Sequence, residues 1–298
     1  MAEKIELYDK KTCLNAGFDA AFSEIFSLYK RIMQYTDQTM DTRYTIILGA
    51  EGQLGRALAR EIARKGCNLV LVSTTSIDLQ RFAIGLQLKE DVQVEAVKLD
   101  LSDKNAIQEF TDGFNDRYEI RALINNITCD WSSASDMCVS ELTGEDFNTR
   151  FRGSAMITLN LLPQMAKLPS AFIQHVIPFP FRKEQFDTGM QQSVSKMYAF
   201  VKELEEQLKN TGISVSMVHP APVKNIIPEF DLFEGVSDGS PAINPSLIAL
   251  KAINGMLRGD RLIIPGFWNK LQFFLNRHAT SWFRAAEESF DSGLQPSV

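Results

Sequence analysis

Three glycines, Gly49, Gly52 and Gly55, lie between two apolar segments and have the spacing of a turn that holds a phosphate. In such a turn the first glycine permits the tight bend, the second lets the backbone approach a pyrophosphate, and the third lets the next helix pack on the strand. The phosphate would lie at the N-terminus of that helix, where backbone N–H groups favour negative charge. The pattern predicts a dinucleotide-binding turn, with an ordinary strand-to-helix turn as the alternative.

One residue could hold or transfer a proton. His175 lies near the carboxyl end of the fifth apolar strand. The pKa of histidine is near neutral, so His175 could act as an acid or base, although such a residue is more often a hydrogen-bonded structural one. The histidines and cysteines have no spacing typical of a metal site, and we predict none.

The elements that position these residues alternate between apolar strands and amphipathic helices. Short connections and right-handed crossovers between such units give an α/β fold, a doubly wound (Rossmann) parallel sheet of six to seven strands. Ligands are then expected at the carboxyl ends of the strands, where the strand order reverses. Six strands are predicted at residues 44–48, 68–73, 92–99, 121–125, 171–177 and 214–218.

The chain divides into three predicted parts. Residues 1–42 form an N-terminal helical extension, residues 43–265 the dinucleotide-binding domain, and residues 266–298 an aromatic-rich helical segment. Within the domain, residues 226–245 contain prolines and glycines and are predicted to be a loop on the substrate side. We expect the aromatic C-terminal segment to be buried in a subunit interface; docking on a membrane surface is the alternative.

Composition narrows the class of partner. The net charge is −6, and no stretch concentrates lysine and arginine, so we expect a small-molecule substrate or dinucleotide and no nucleic acid. The four cysteines are scattered, which favours a reduced, cytoplasmic location over a disulfide framework. The sequence has Glu3, Glu6 and Asp9 where a signal peptide needs an apolar run, and no uncharged apolar stretch is long enough to span a bilayer.

With these features, the chain resembles the short-chain dehydrogenase/reductase family over residues 44–265. Within that family its residue pattern is most similar to the steroid and long-chain ketoacyl reductases. The resemblance implies NAD or NADP as cofactor and a homo-oligomer. It also implies roles for five residues besides the glycines. They are Asp100 and Leu101 on the adenine side, Asn126 at a strand end, Lys196 at the ribose, and Val223 in a Pro220-Ala221-Pro222-Val223 loop at the nicotinamide carboxamide.

The chain departs from the family pattern at the positions that do the chemistry. The family places a tyrosine four residues before the lysine, and here that position is Gln192, whose carboxamide has no proton to donate near neutral pH. The family's serine aligns with Pro178 or Phe179, and its helix asparagine aligns with Arg150. The resemblance therefore predicts a weak or non-catalytic binding or regulatory protein, a pseudoenzyme.

Two alternatives remain. The first is an active reductase of a large apolar carbonyl compound, with His175 or water as the proton donor. The second is a structural subunit whose crevice is filled by its own side chains, such as Ile127, Phe179 and Arg150. Cofactor choice also stays open, because the second strand ends in Ser73-Thr74-Thr75 and offers neither an acid nor an arginine; Arg56 could approach a phosphate.

Overall fold

Seven strands form one parallel sheet in a computed structural model, which describes residues 43–74, 77–127, 144–178, 188–220, 243–267, 269–271 and 273. The order across the sheet is β3-β2-β1-β4-β5-β6-β7, so the direction of winding reverses between β1 and β4. The strands are β1 Arg43–Leu48, β2 Asn68–Ser73, β3 Val94–Lys98, β4 Glu119–Asn125, β5 Ala171–Val176, β6 Ile213–Val218 and β7 Leu262–Ile263. The predicted doubly wound α/β class is confirmed.

Six helices of the described residues connect the strands and cover both faces of the sheet. They are α1 Gln53–Ala63, α2 Ile77–Glu90, α3 Lys104–Arg117, α4 Gly144–Met165, α5 Thr188–Leu208 and α6 Pro245–Arg258. Alternate residues of a strand point to opposite faces. Accordingly, Ile46 and Leu48 of β1 pack in the core beneath α3, α4 and α5, whereas Ile47 packs in the core beneath α1, α2 and α6.

Local signals explain where two helices begin. The carboxylate of Asp103 accepts hydrogen bonds from the backbone N–H groups of Asn105 and Ala106 at the start of α3. Asn244 caps α6 in the same way, and Pro245 occupies the first turn, where a missing N–H costs nothing. No helix in the described ranges is both long enough and apolar enough to cross a membrane.

Two glycines on helices of this fold should respond to alanine in opposite directions. A Cβ atom at Gly113, on exposed α3, would meet nothing within 4 Å, so Gly113→Ala should raise the free energy of unfolding. The expected gain is about 0.5–1 kcal/mol, because alanine loses less conformational entropy than glycine on folding. A Cβ atom at Gly153, on α4, would lie 2.3 Å from the carbonyl oxygen of Leu101, so Gly153→Ala should be destabilising. Urea unfolding of both variants tests this; a loss of stability in Gly113→Ala would contradict it.

Part of the C-terminal aromatic segment packs within the chain itself. Phe273 is buried, and its ring stacks on His219 with ring centroids 5.1 Å apart. The expectation that this segment is buried in a subunit interface is therefore wrong for Phe273, because an imidazole ring at the end of β6 already covers it. Phe267, by contrast, is 76% exposed. The N-terminal extension predicted at residues 1–42 lies outside the described residues.

Candidate functional site

A small cleft opens at the carboxyl ends of β1 to β4, where the strand order reverses. Open α/β sheets bind their ligands at such a position. The walls come from the ends of the four strands, the glycine turn and α4. The lining residues are Leu48, Gly49, Glu51, Val72, Ser73, Thr74, Leu99, Leu101, Ile127 and Arg150. The sheet topology thus places the predicted turn and several later residues around one space.

The glycine turn is held by both strands that flank β1. The N–H groups of Gly49 and Ala50 donate to the carbonyl oxygen of Val72 at 3.0 and 3.1 Å, and the side-chain amide of Asn126 donates to the carbonyl oxygen of Gly49 at 2.9 Å. Gly49 has φ +69°, and a Cβ atom there would lie 1.8 Å from the carbonyl oxygen of Asn126. Only glycine fits this bend. Two predicted site residues, Gly49 and Asn126, therefore meet in the structure.

The other two glycines lie where α1 begins. A Cβ atom at Gly55 would lie 2.2 Å from the carbonyl oxygen of Gly49, so the absence of a side chain lets α1 pack on the turn. Gly52 is the N-cap of α1; no side chain caps this end, and the first turn holds no acidic residue. Helix N-termini of this kind favour anions, because their first N–H groups lack helical partners. The arrangement fits a pyrophosphate, as the glycine spacing predicts.

The predicted adenine-side residues follow β3. Leu101 lines the cleft, whereas Asp100 is exposed beside it. One carboxylate oxygen of Asp100 accepts from the backbone N–H of Ser102 at 2.9 Å and from its hydroxyl at 2.8 Å. These two bonds lower the pKa of Asp100, so the carboxylate is charged at neutral pH and can accept from a ligand amino group.

Gln192 and Lys196 lie one turn apart on α5 and are both exposed. Residues four apart on a helix share a face, so the two side chains project on the same side of α5. Neither belongs to the lining of the described cleft. Pro178, one of the two positions aligned with the family's serine, is buried after β5 and offers no hydroxyl group. Phe179, the other, lies outside the described residues, as does Val223.

His175 is fully buried in β5 and does not line the described cleft. The side-chain amide of Asn125 lies 3.3 Å from its Nδ1 and 3.4 Å from its Nε2, and donates as well to the hydroxyl of Thr158. Burial lowers the pKa of His175 to about 3, so the ring is neutral near pH 7. This geometry supports the structural interpretation of His175 over that of a proton donor.

A second buried histidine completes the interior of this end of the sheet. His219 Nδ1 lies 2.9 Å from the carbonyl oxygen of Ile177, which can only accept, so Nδ1 carries the proton. The other nitrogen, Nε2, then accepts from the hydroxyl of Tyr198. Burial lowers the pKa of His219 to about 4. Tyr198 is thus turned into the core, consistent with its place two residues from the exposed Lys196.

The reversal of strand order, the glycine turn and the cleft define a doubly wound α/β protein whose cleft lies where such folds bind their ligands. The family model described as short chain dehydrogenase matches residues 43–228. The chain belongs to this family of oxidoreductases.

One relative by sequence and two solved structures are similar to this chain. The chain is 26% identical over 209 residues to retinol dehydrogenase 12 of Homo sapiens, and it spans 64% of that relative's length and 64% of its own. Its structure is similar to that of a short-chain dehydrogenase from Sphingobium yanoikuyae in complex with NADPH, with TM-score 0.63, 19% identity and coverage of 86% and 98% of the two chains. It is also similar to the bulky-bulky ketone specific alcohol dehydrogenase from Comamonas testosteroni, with TM-score 0.61, 18% identity and coverage of 87% and 97%. At these identities the structural likeness shows the fold.

The structure adds one charged residue, Glu51, to the predicted site, and it places Arg150, which was predicted to fill the crevice, in the lining as well. Glu51 and Arg150 both line the cleft, one from the glycine turn and one from α4. The position of Glu51 between Gly49 and Gly52 was a usable signal, because a side chain inside a phosphate-binding turn must lie close to the ligand. Arg150 is the position aligned with the family's helix asparagine, and the packing of α4 on the sheet brings it to the cleft.

Proposed function

We propose that this chain binds a nicotinamide dinucleotide in the cleft and has lost the family's tyrosine-centred proton transfer, so that it serves as a binding or regulatory protein. The observation that carries the proposal is that the glycine turn is built to hold a phosphate, whereas α5 has no tyrosine before Lys196. Gly49 and Gly55 have the close backbone contacts that a phosphate-binding turn needs. Gln192, one turn before Lys196, has no ionisable hydroxyl.

The residues that would hold the dinucleotide follow from the cleft. Its phosphates would lie against Gly49, Gly52 and the N-terminus of α1, and its adenine against Leu101 and Asp100. Lys196 would contact the ribose next to the nicotinamide, as the resemblance implies. A bound nicotinamide supplies or accepts a hydride; the chain must supply the matching proton.

Among the described residues, the positions aligned with the family's tyrosine, serine and asparagine offer no group that can release this proton. Gln192 can donate a hydrogen bond from its carboxamide and so orient a carbonyl group, but it cannot release a proton near neutral pH. Pro178 has no hydroxyl, and Arg150 replaces an uncharged asparagine with a cation. General acid catalysis contributes about 10²–10⁴-fold to a rate, so its loss leaves slow turnover or none.

Ketone reduction tests the proposal directly. We expect no measurable oxidation of NADH or NADPH with a panel of bulky ketones, and measurable oxidation after Gln192→Tyr, which places a phenol one turn from Lys196. Gln192→Phe is the matched control, because it adds the ring without the hydroxyl and should stay inactive. The exposed position makes both substitutions compatible with folding. Wild-type turnover that Gln192→Tyr does not exceed would contradict the proposal.

The second candidate function is reduction of a large apolar carbonyl compound with a different proton donor. It is favoured by the likeness to retinol dehydrogenase 12, whose name gives a large apolar alcohol as substrate. The buried, neutral state of His175 weighs against that residue as the donor. If the wild-type chain reduces ketones and His175→Asn abolishes the reaction while the fold persists, this second function replaces the first.

We also propose a cytoplasmic, homo-oligomeric protein. The location rests on the scattered cysteines, which favour a reduced compartment. The assembly rests on the family resemblance, with α4 and α5 as the contact surface. Light scattering of the purified chain would measure the mass of the assembly, and a monomer at micromolar concentration would contradict this part of the proposal.

A further inference from the structure

NAD and NADP differ at the adenosine ribose, which carries a 2′-phosphate in NADP. The position that usually distinguishes them, the end of β2, has no charged side chain in this chain. Sites of this fold use an acid at the end of β2 for the 2′-hydroxyl, or a nearby arginine for the 2′-phosphate. In this chain β2 ends at Ser73, which is buried, and Thr74, which is exposed. Neither side chain carries a charge.

Glu51 brings a carboxylate to the same part of the cleft from the other side. It lies in the glycine turn, between Gly49 and Gly52, and lines the cleft together with Ser73 and Thr74. Its Oε2 atom is sealed from solvent and has no hydrogen-bond partner in the structure as described. A covered carboxylate oxygen without a donor is costly, and a rotation of the Glu51 side chain that brings this oxygen to a ligand hydroxyl would satisfy it.

Arg56, the arginine at the start of α1, is turned away from the cleft. Arg56 uses its Nε–H to bond the backbone carbonyl oxygen of Glu51 at 2.9 Å. Its guanidinium carbon lies 5.3 Å from the ring centroid of Phe82 on α2, and Arg60 lies 5.0 Å from the same ring. Arg56 is not part of the cleft lining. Glu51 therefore lines the cleft and Arg56 does not; Arg150, on α4, is a cation that lines it as well.

We infer that Glu51 accepts a hydrogen bond from the 2′-hydroxyl of the adenosine ribose and thereby makes the cleft select NAD(H) over NADP(H). The inference rests on the proposed dinucleotide binding and adds a specificity-determining residue to it. A 2′-phosphate carries negative charge to the same point and is repelled by Glu51.

Calorimetric titration with two pairs of probes tests the inference. NADH and NADPH are the whole cofactors; 5′-AMP and 2′,5′-ADP contain only the adenosine end and do not depend on the nicotinamide side. We expect the wild-type chain to bind NADH and 5′-AMP at least about tenfold more tightly than their 2′-phosphorylated partners, the range for a hydrogen bond to a charged group.

Glu51→Gln should reduce that preference about tenfold in both pairs, because it removes the charge and keeps the shape. Glu109→Gln, which removes an exposed carboxylate from α3 outside the cleft lining, is the matched control and should leave the preference unchanged. Thermal unfolding of each variant checks that the fold persists.

Three results would overturn the inference. An unchanged preference in Glu51→Gln removes Glu51 from cofactor choice, and a wild-type preference for NADPH that Arg56→Ala abolishes assigns the choice to Arg56 instead. In both cases binding itself persists, and the proposed function stands. If none of the four probes binds, the proposed function fails together with the inference.

Discussion

Replacing Gly49 by alanine is expected to lower the free energy of unfolding by about 3 kcal/mol or more and to abolish dinucleotide binding. Two costs add at this position. Alanine disfavours the left-handed backbone conformation at φ +69°, and its Cβ atom would lie 1.8 Å from the carbonyl oxygen of Asn126. That oxygen belongs to the backbone, which cannot move aside without disturbing the end of β4. Urea unfolding and calorimetric titration with NADH measure the two effects.

Gly66→Ala separates the two costs. Gly66 has a similar φ of +75°, but a Cβ atom there would meet nothing within 4 Å. This variant should lose only about 1 kcal/mol, the conformational part, and keep its ligand binding. Equal losses in the two variants would show that the contact between the turn and Asn126 contributes nothing.

Acidification from about pH 7.5 to about pH 5.5 is expected to lower the free energy of unfolding by about 2–3 kcal/mol through two buried histidines. Burial lowers the pKa of His175 from 6.5 to about 3 and that of His219 from 6.5 to about 4. Net stabilities of domains are only about 5–15 kcal/mol, so the effect is a large part of the whole.

The sign follows from proton uptake. Above the unfolded pKa of 6.5 both histidines are neutral in either state, and their contribution to stability is fully present. Between pH 6.5 and about pH 4 the unfolded chain binds protons at these positions and the folded chain does not. The free energy of unfolding therefore falls as the pH falls through this window.

Urea unfolding at several pH values between about 5.5 and 7.5 measures the slope, above the range where most carboxylates titrate. His219→Leu and His175→Leu should each remove about half of the fall in the free energy of unfolding between these pH values. This holds whatever the substitutions do to stability at neutral pH. Tyr198→Phe is the control: it removes the hydroxyl that donates to His219 but leaves the titrating ring in place, so the slope should persist. A slope unaffected by both histidine substitutions would show that other groups titrate on unfolding.

These two predictions concern the scaffold, and they bear on function because the fold alone does not decide it. The same doubly wound architecture serves many activities, and membership of an oxidoreductase family is a statement about ancestry and framework. In this chain the turn that would hold phosphates is tightly constrained, while the position that would release a proton is an exposed glutamine. Binding and catalysis therefore need separate tests.

The order of the elements and the position of the glycine turn can be predicted from the sequence. Apolar periodicity predicted six strands with bounds within two residues of those observed, because buried parallel strands are continuous apolar segments. The strand β7, Leu262–Ile263, has only two residues, so periodicity cannot locate it. The sequence predicts a sheet of six to seven strands but gives no bounds for the seventh. The three glycines located the turn because a tight bend and a close helix leave no room for a side chain.

Which residues line the cleft together depends on how the elements pack in three dimensions. Glu51, Thr74 and Arg150 meet in one cleft because β1, β2 and α4 converge at the edge where the strand order reverses. The pKa values of His175 and His219 are likewise set by burial, and burial depends on the packing of α4, α5 and Phe273 around the strand ends. Periodicity gives the face on which a residue lies, but contacts between residues distant in sequence depend on how the elements pack.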